Sequence, residues 1–216
     1  MRRVLFLLLL VVGAGTAAAA PPSLQVPLSD VLEVFLLDRD LIAVDAESGG
    51  QLSVPLRLKE TLAWSGARGR VGVAITDQRI LAAAVGSAAW QVAARQRGEV
   101  LPERALLGDR VALIVTSNRA IGFDGGSGNL VETSLGLRER VVDVAVGENA
   151  GVVVTDRRAL GLSPVAGGFF PIKLDLEERI ESVQASANLV NVTTNRRVLL
   201  FRTPTGTWEE RIRRLR

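Results

Sequence analysis

Cysteine, histidine and tyrosine are absent from these 216 residues, methionine occurs once, at the start, and aromatics make up only 4%. Without cysteine there are no disulfides, no thiolate nucleophile and no Cys-ligated metal. Without histidine the commonest general base near neutral pH is missing, together with the usual ligand of zinc, copper and haem. Carboxylates alone remain for acid–base work or for a hard cation. The sequence therefore predicts no catalytic residue, no metal site and no cofactor, and a chain that is not an enzyme. What it does have is 48% hydrophobic residues, enough for one domain with a real core.

Arg2 and Arg3 precede the apolar run Val4–Val12, and Ala17–Ala20 follow ahead of Pro21. That is the layout of a secretory signal peptide. Cleavage is expected near Ala19, leaving residues 20–216 as a single secreted or periplasmic domain. The alternative is a retained anchor, but residues 4–20 fall short of the ~20 apolar residues of a membrane span. No stable membrane insertion is expected after cleavage. Losing Arg2 and Arg3 takes the net charge from +3 to about +1, and four of the remaining arginines (Arg211, Arg213, Arg214 and Arg216) crowd the C-terminus. Nucleic-acid binding thus loses its electrostatic basis.

An internal repeat organises the rest. VGVAITDQRILA from Val71, VALIVTSNRAIGF from Val111, GVVVTDRRALGL from Gly151 and VNVTTNRRVLLF from Val190 read alike. Their landmark threonines, Thr76, Thr116, Thr155 and Thr194, are spaced 40, 39 and 39 apart, and a fifth copy, VFLLDRDLIAVD, places Leu37 at the landmark. Five copies of about 39 residues fill residues 20–216. Short β-branched runs bounded by turn residues predict strands. Asp77-Gln78, Ser117-Asn118, Asp156-Arg157 and Asn195-Arg196 supply the turn chemistry. Each copy reads as four strands, the first of them at Leu24–Leu28 in the opening copy. Fourteen residues past each landmark come Trp90, Leu130, Phe169 and Trp208, expected to pack between copies.

A period near 40 with four strands per unit resembles the blade of a β-propeller, which implies an all-β fold with five four-stranded antiparallel blades. No Gly-His or Trp-Asp dipeptide of the WD40 pattern is present, so that family's mode of partner binding does not carry over. The blade count is also similar to tachylectin-like sugar-binding propellers, and VVVTDRRALGL looks like the hairpin of bacterial PH-like domains, which carry one such hairpin where this chain has about five.

The most regular polar feature is the arginine three residues past each landmark: Arg79, Arg119, Arg158 and Arg197, with Asp40 in the first copy. On one propeller face these would form an anion-binding ring, since arginine suits bidentate recognition. Repetition in every blade favours a structural role, bonding carbonyls of the neighbouring blade. The acids Glu60, Glu103, Glu139 and Glu178 precede each innermost strand, three of them followed by Arg104, Arg140 and Arg179. Paired carboxylates can run glycoside hydrolysis, but acids that recur in every blade make no single differentiated site. Trp64 breaks the symmetry, either as a stacking platform or as core. The charged C-terminal strand from Trp208 is read as edge protection. The candidate binding face is thus Arg79, Arg119, Arg158, Arg197 and Trp64. The expected function is an exported, monomeric, non-catalytic module holding a protein or peptide, the alternative being a lectin-like carbohydrate binder.

Overall fold

The computed structural model describes residues 31–213. Nineteen strands and no helix make up its regular structure. Blade 1 contains β1 (Leu32–Leu37), β2 (Asp40–Asp45) and β3 (Gln51–Pro55). Blade 2 contains β4 (Leu62–Arg68), β5 (Val71–Thr76), β6 (Arg79–Ala84) and β7 (Gln91–Ala94). Blade 3 runs through β8 (Leu106–Leu107), β9 (Val111–Val115), β10 (Arg119–Asp124) and β11 (Asn129–Ser134). Blade 4 has β12 (Val141–Val146), β13 (Gly151–Thr155), β14 (Arg158–Ser163) and β15 (Gly168–Lys173). Blade 5 ends the chain with β16 (Ile180–Ala185), β17 (Leu189–Thr194), β18 (Arg197–Arg202) and β19 (Thr207–Ile212).

Every blade is an antiparallel meander with strands adjacent in chain order, and in blades 2 to 5 the second and third strands meet at the tight turns that Asp, Asn and Ser mark in the sequence. The fold is an all-β, five-bladed β-propeller. Blade 1 is described with three strands, and the strand expected at Leu24–Leu28, like the signal segment, lies outside the described residues. In blades 2, 4 and 5 the innermost strand shifts register near its start, between Leu62 and Trp64, Val141 and Asp143, and Ile180 and Ser182. This repeated bulge turns the strand as it enters the blade.

The core lies between blades. Four apolar clusters fill four seams: Leu32 and Leu41 meet Leu81 and Trp90; Ile75 and Ile80 meet Ile114 and Phe123; Leu113 meets Leu160 and Leu162; Val152 and Val154 meet Leu199 and Phe201. This explains why β5, β6 and β13 are buried along their whole length rather than on alternate residues. Both faces of a middle blade are covered, whereas β17 of blade 5 alternates between buried and more accessible residues. Leu130, Phe169 and Trp208 pack against these clusters, as Trp90 does. No comparable cluster joins blade 5 to blade 1 among the described residues.

Close approach of the blades depends on small residues. A Cβ on Gly122 would lie 2.5 Å from the Leu162 side chain, and one on Gly161 would lie 2.6 Å from the Phe201 ring. Each glycine is a hole on one blade for a knob on the next. The equivalent position in blade 5, 39 residues on, is Leu200. Gly161→Ala is therefore expected to cost about 1–3 kcal/mol as overpacking. Urea denaturation checks this, and the double variant with Phe201→Leu should recover part of the loss.

Candidate functional site

The repeated arginines and glutamates meet in one arrangement at the turn end of blades 2 to 5, joined by the threonine in blades 2, 4 and 5. In blade 2, Glu60 ends the linker from blade 1, where Arg57-Leu-Lys-Glu60 closes a tight turn (Glu60 N to Arg57 O, 3.0 Å). Its Oε1 accepts from Arg79 Nε and from the Thr76 hydroxyl, both at 2.7 Å, and its Oε2 accepts from Arg79 Nη2 (3.0 Å) and Arg57 N–H (2.6 Å). The four lone-pair directions of the carboxylate are thus all used. Thr76 Oγ1 also accepts the N–H of Arg79 at 3.0 Å, which shapes the turn between β5 and β6. Finally, Arg79 Nη2 donates to Pro55 O at 2.9 Å, on the outermost strand of the preceding blade.

The same staple recurs. Arg158 donates Nε and Nη2 to Glu139 (2.8 and 3.0 Å) and reaches Ser134 O (2.8 Å). Arg197 does so with Glu178 (2.9 and 2.8 Å) and Lys173 O (2.8 Å). In blade 3 the acid is Glu99, held by Arg119 Nε and Nη2 (2.8 and 3.0 Å), while Arg119 also reaches Ala94 O (2.7 Å). Thr116 there turns to Asn118 Oδ1 (3.0 Å) instead. This corrects the expectation of Glu103, which is exposed. Glu99 is 39 residues past Glu60, and the linker turn must deliver its acid beside the arginine. Glu103 lies four residues further along, where the linker has already left that turn.

The glutamates at these sites are buried, with side chains of Glu60, Glu99 and Glu178 fully inaccessible. Burial pushes the carboxyls of Glu139 and Glu178 up. The arginine forks, the backbone N–H groups of Gly136 and Asp175, and the Thr155 and Thr194 hydroxyls outweigh it and hold both at about 2. Glu60 and Glu99 are lowered for the same reasons. The guanidinium forks of Arg79, Arg119, Arg158 and Arg197 are each occupied by the blade's own glutamate, and Arg79 and Arg119 are themselves buried. Asp40 stands exposed at the equivalent position of blade 1. Instead, Arg39 Nη2 bonds Leu56 O (3.3 Å) and Arg57 O (2.5 Å), steadying the first linker.

Trp64 is half-buried against the cluster between blades 2 and 3. Its ring covers Gly66, where a Cβ would sit 2.8 Å from Cζ2. It fills space between strands rather than standing free. Asp143 and Ser182, its counterparts after the bulge, bring no second aromatic.

The opposite ends of the blades differ from one another. The turns between first and second strands carry Arg70, Arg110, Asn149 and Asn188 at equivalent places. They hang on each other through Arg70 N to Asp109 O (2.7 Å), Arg110 N to Glu148 O (2.9 Å) and Asn149 N to Ala187 O (2.8 Å). Gly108 and Gly147 permit this contact, since a Cβ on either would collide with the next blade's backbone carbonyl, Gly147 O or Ser186 O. Arg70, Asp109, Arg110, Glu148 and Asn149 line an open cavity of about 480 Å³ on this face. Sequence reasoning missed these residues because their chemistry changes from blade to blade.

No family model matches the chain, and no curated protein does. Solved structures resemble the chain at low identity. They include the WD40 domain of SCAP from fission yeast (11% identity, 86% of this chain and 57% of that one, TM-score 0.37). Others are apo AztD from Citrobacter koseri (14%, 84% and 59%, 0.39) and YCF48 bound to D1 peptide (14%, 84% and 69%, 0.34). The chain spans 57% and 59% of the length of the first two.

Two outcomes follow from the staples. Glu60→Gln leaves the buried Arg79 without its only ion-pair partner among the described residues and is expected to cost about 3–5 kcal/mol, whereas Asp40→Ala should stay within about 0.5 kcal/mol; chemical denaturation of each separates them. Because the glutamates titrate lower when folded, their contribution is complete above pH 4.5 and is lost as the pH falls towards about 2. The urea midpoint should accordingly hold steady down to about pH 5 and fall across that window.

Proposed function

We propose that this chain is an exported, non-catalytic binding module that holds a protein or peptide on one propeller face. β-Propellers commonly serve as binding or scaffold modules, but the fold does not choose the ligand. The observation that carries the reading is how charge is divided between the two ends of the blades. At one end the repeated arginines and glutamates neutralise each other within the scaffold. At the other, polar side chains that do not repeat surround an open cavity. A surface that varies over a rigid repeated frame is what selective binding needs.

Export is supported by the signal-peptide layout of Arg2 to Ala20. A lectin-like role has weaker support: Trp90 is buried at a seam, and Trp64 and Trp208 pack against seam clusters. None of the three offers the open aromatic platform on which sugars stack.

Panning a random dodecapeptide phage library against the immobilised protein, beside a glycan array, tests the reading. Enrichment of related peptides with a blank glycan array is the expected result. Glycan binding without peptide enrichment would transfer the function to the carbohydrate alternative.

A further inference from the structure

Resting on that reading, we propose that the cavity at the first turns of blades 2 to 4 is the binding site, and that its ligand is a mixed-charge peptide segment. The ligand would offer an acidic side chain to Arg110, a basic side chain to Glu148 and a backbone N–H to Asn149 Oδ1.

Two charges without an ion-pair partner and one unpaired acceptor belong to residues that line the cavity. Arg70 is paired with Glu47 (3.1 Å to each oxygen) and Asp109 with Arg68 (3.0 Å). Arg110 and Glu148, on the first turns of blades 3 and 4, line the same cavity. Neither has an ion-pair partner within 4.0 Å among the described residues, including each other. Opposite charges on adjacent turns that stand apart leave room for a ligand carrying the complementary pair. The unpaired acceptor belongs to Asn149. Its Nδ2 donates to Asn188 Oδ1 at 3.0 Å, which fixes the amide, while its Oδ1 is shielded from solvent and accepts no hydrogen bond. A shielded acceptor without a donor is costly, and a ligand N–H would relieve it once the groups that cover it move aside.

The frame around these groups is fixed. Arg110 N is bonded to Glu148 O and Arg110 O accepts from Gly125 N (2.8 Å), so the two charged residues share one hydrogen-bonded backbone unit. Little ordering of the backbone is then required on binding. The cavity's 480 Å³ lies within the roughly 300–1,000 Å³ of ligand sites, room for a few residues of peptide. Sugars supply hydroxyls but neither charge, and a wholly acidic or basic segment would meet one repulsive residue. The geometry therefore selects for both signs together.

The test uses synthetic hexapeptides, capped at both ends, that place one Glu and one Lys at every spacing and in both orders. All-Glu, all-Lys and uncharged hexapeptides serve as controls, with binding read by fluorescence anisotropy at low and high salt. At least one mixed-charge order is expected to bind about ten-fold more tightly than any control, weakening with salt. Arg110→Glu and Glu148→Lys should each abolish that preference, and the double variant should favour the reverse order. Both side chains are exposed, so the variants should unfold at the wild-type urea midpoint. Were either to misfold, NMR titration of the wild type would decide, with the Asn149 side-chain amide expected to shift on adding peptide and an unmoved amide counting against the proposal. If peptides enriched by panning bind wild type and both variants alike, the site is elsewhere while the module reading stands. If no peptide binds wild type, both are overturned.

Discussion

A glutamate at the end of each linker, gripped by an arginine of the blade that follows, is the contact on which the remaining structure depends. A blade alone has two apolar faces and cannot be stable. It must be set against its neighbour at one distance and one angle. The linker carboxylate, with its lone pairs filled by arginine, backbone and usually threonine, supplies that fixed point. The spare Nη2 of the same arginine then catches a carbonyl on the preceding blade's outer strand. Buried ion pairs return little net stability once desolvation is counted. Their value here is geometric, since a blade shifted by one residue would leave a charge buried and alone.

The apolar contacts follow the same order. Four staples span the four seams from blade 1 to blade 5, and the four core clusters occupy those seams. Gly122 and Gly161 admit Leu162 and Phe201 across the last two. Blades 1 and 5 depart from the pattern. Asp40 replaces the arginine, Leu37 replaces the threonine and is 57% exposed, and Leu200 replaces the glycine. The departures from the repeat thus fall in blades 1 and 5, outside the four seams formed by the described residues.

The fold was legible because the staple imposes the same residue types every 39 or 40 positions. Thr76, Thr116, Thr155 and Thr194, with the arginine three residues on, mark each second strand and its turn. Trp90, Leu130, Phe169 and Trp208 likewise mark the seams. The acids were only partly legible. The second linker contains both Glu99 and Glu103, and proximity to the innermost strand favours Glu103, although the linker turn delivers Glu99. The threonine's tie to that acid joins residues 16 apart, a contact no local pattern announces. Arg110, Glu148 and Asn149 escaped notice for the opposite reason. A site on a repeat scaffold is an exception to the repeat, and only the backbone bonds between turns bring these exceptions together.

The most direct test of the central claim is an NMR measurement of hydrogen exchange at the arginine Nε–H groups. Nε of Arg79, Arg119, Arg158 and Arg197 each donates to a buried carboxylate at 2.7–2.9 Å. Four Nε–H resonances should therefore stand apart from the other arginines and exchange slowly at neutral pH, each one lost when its own glutamate is replaced by glutamine. Uniformly fast exchange at all four would contradict the account, because it would mean the repeated charges face solvent and the blades are held by apolar contact alone.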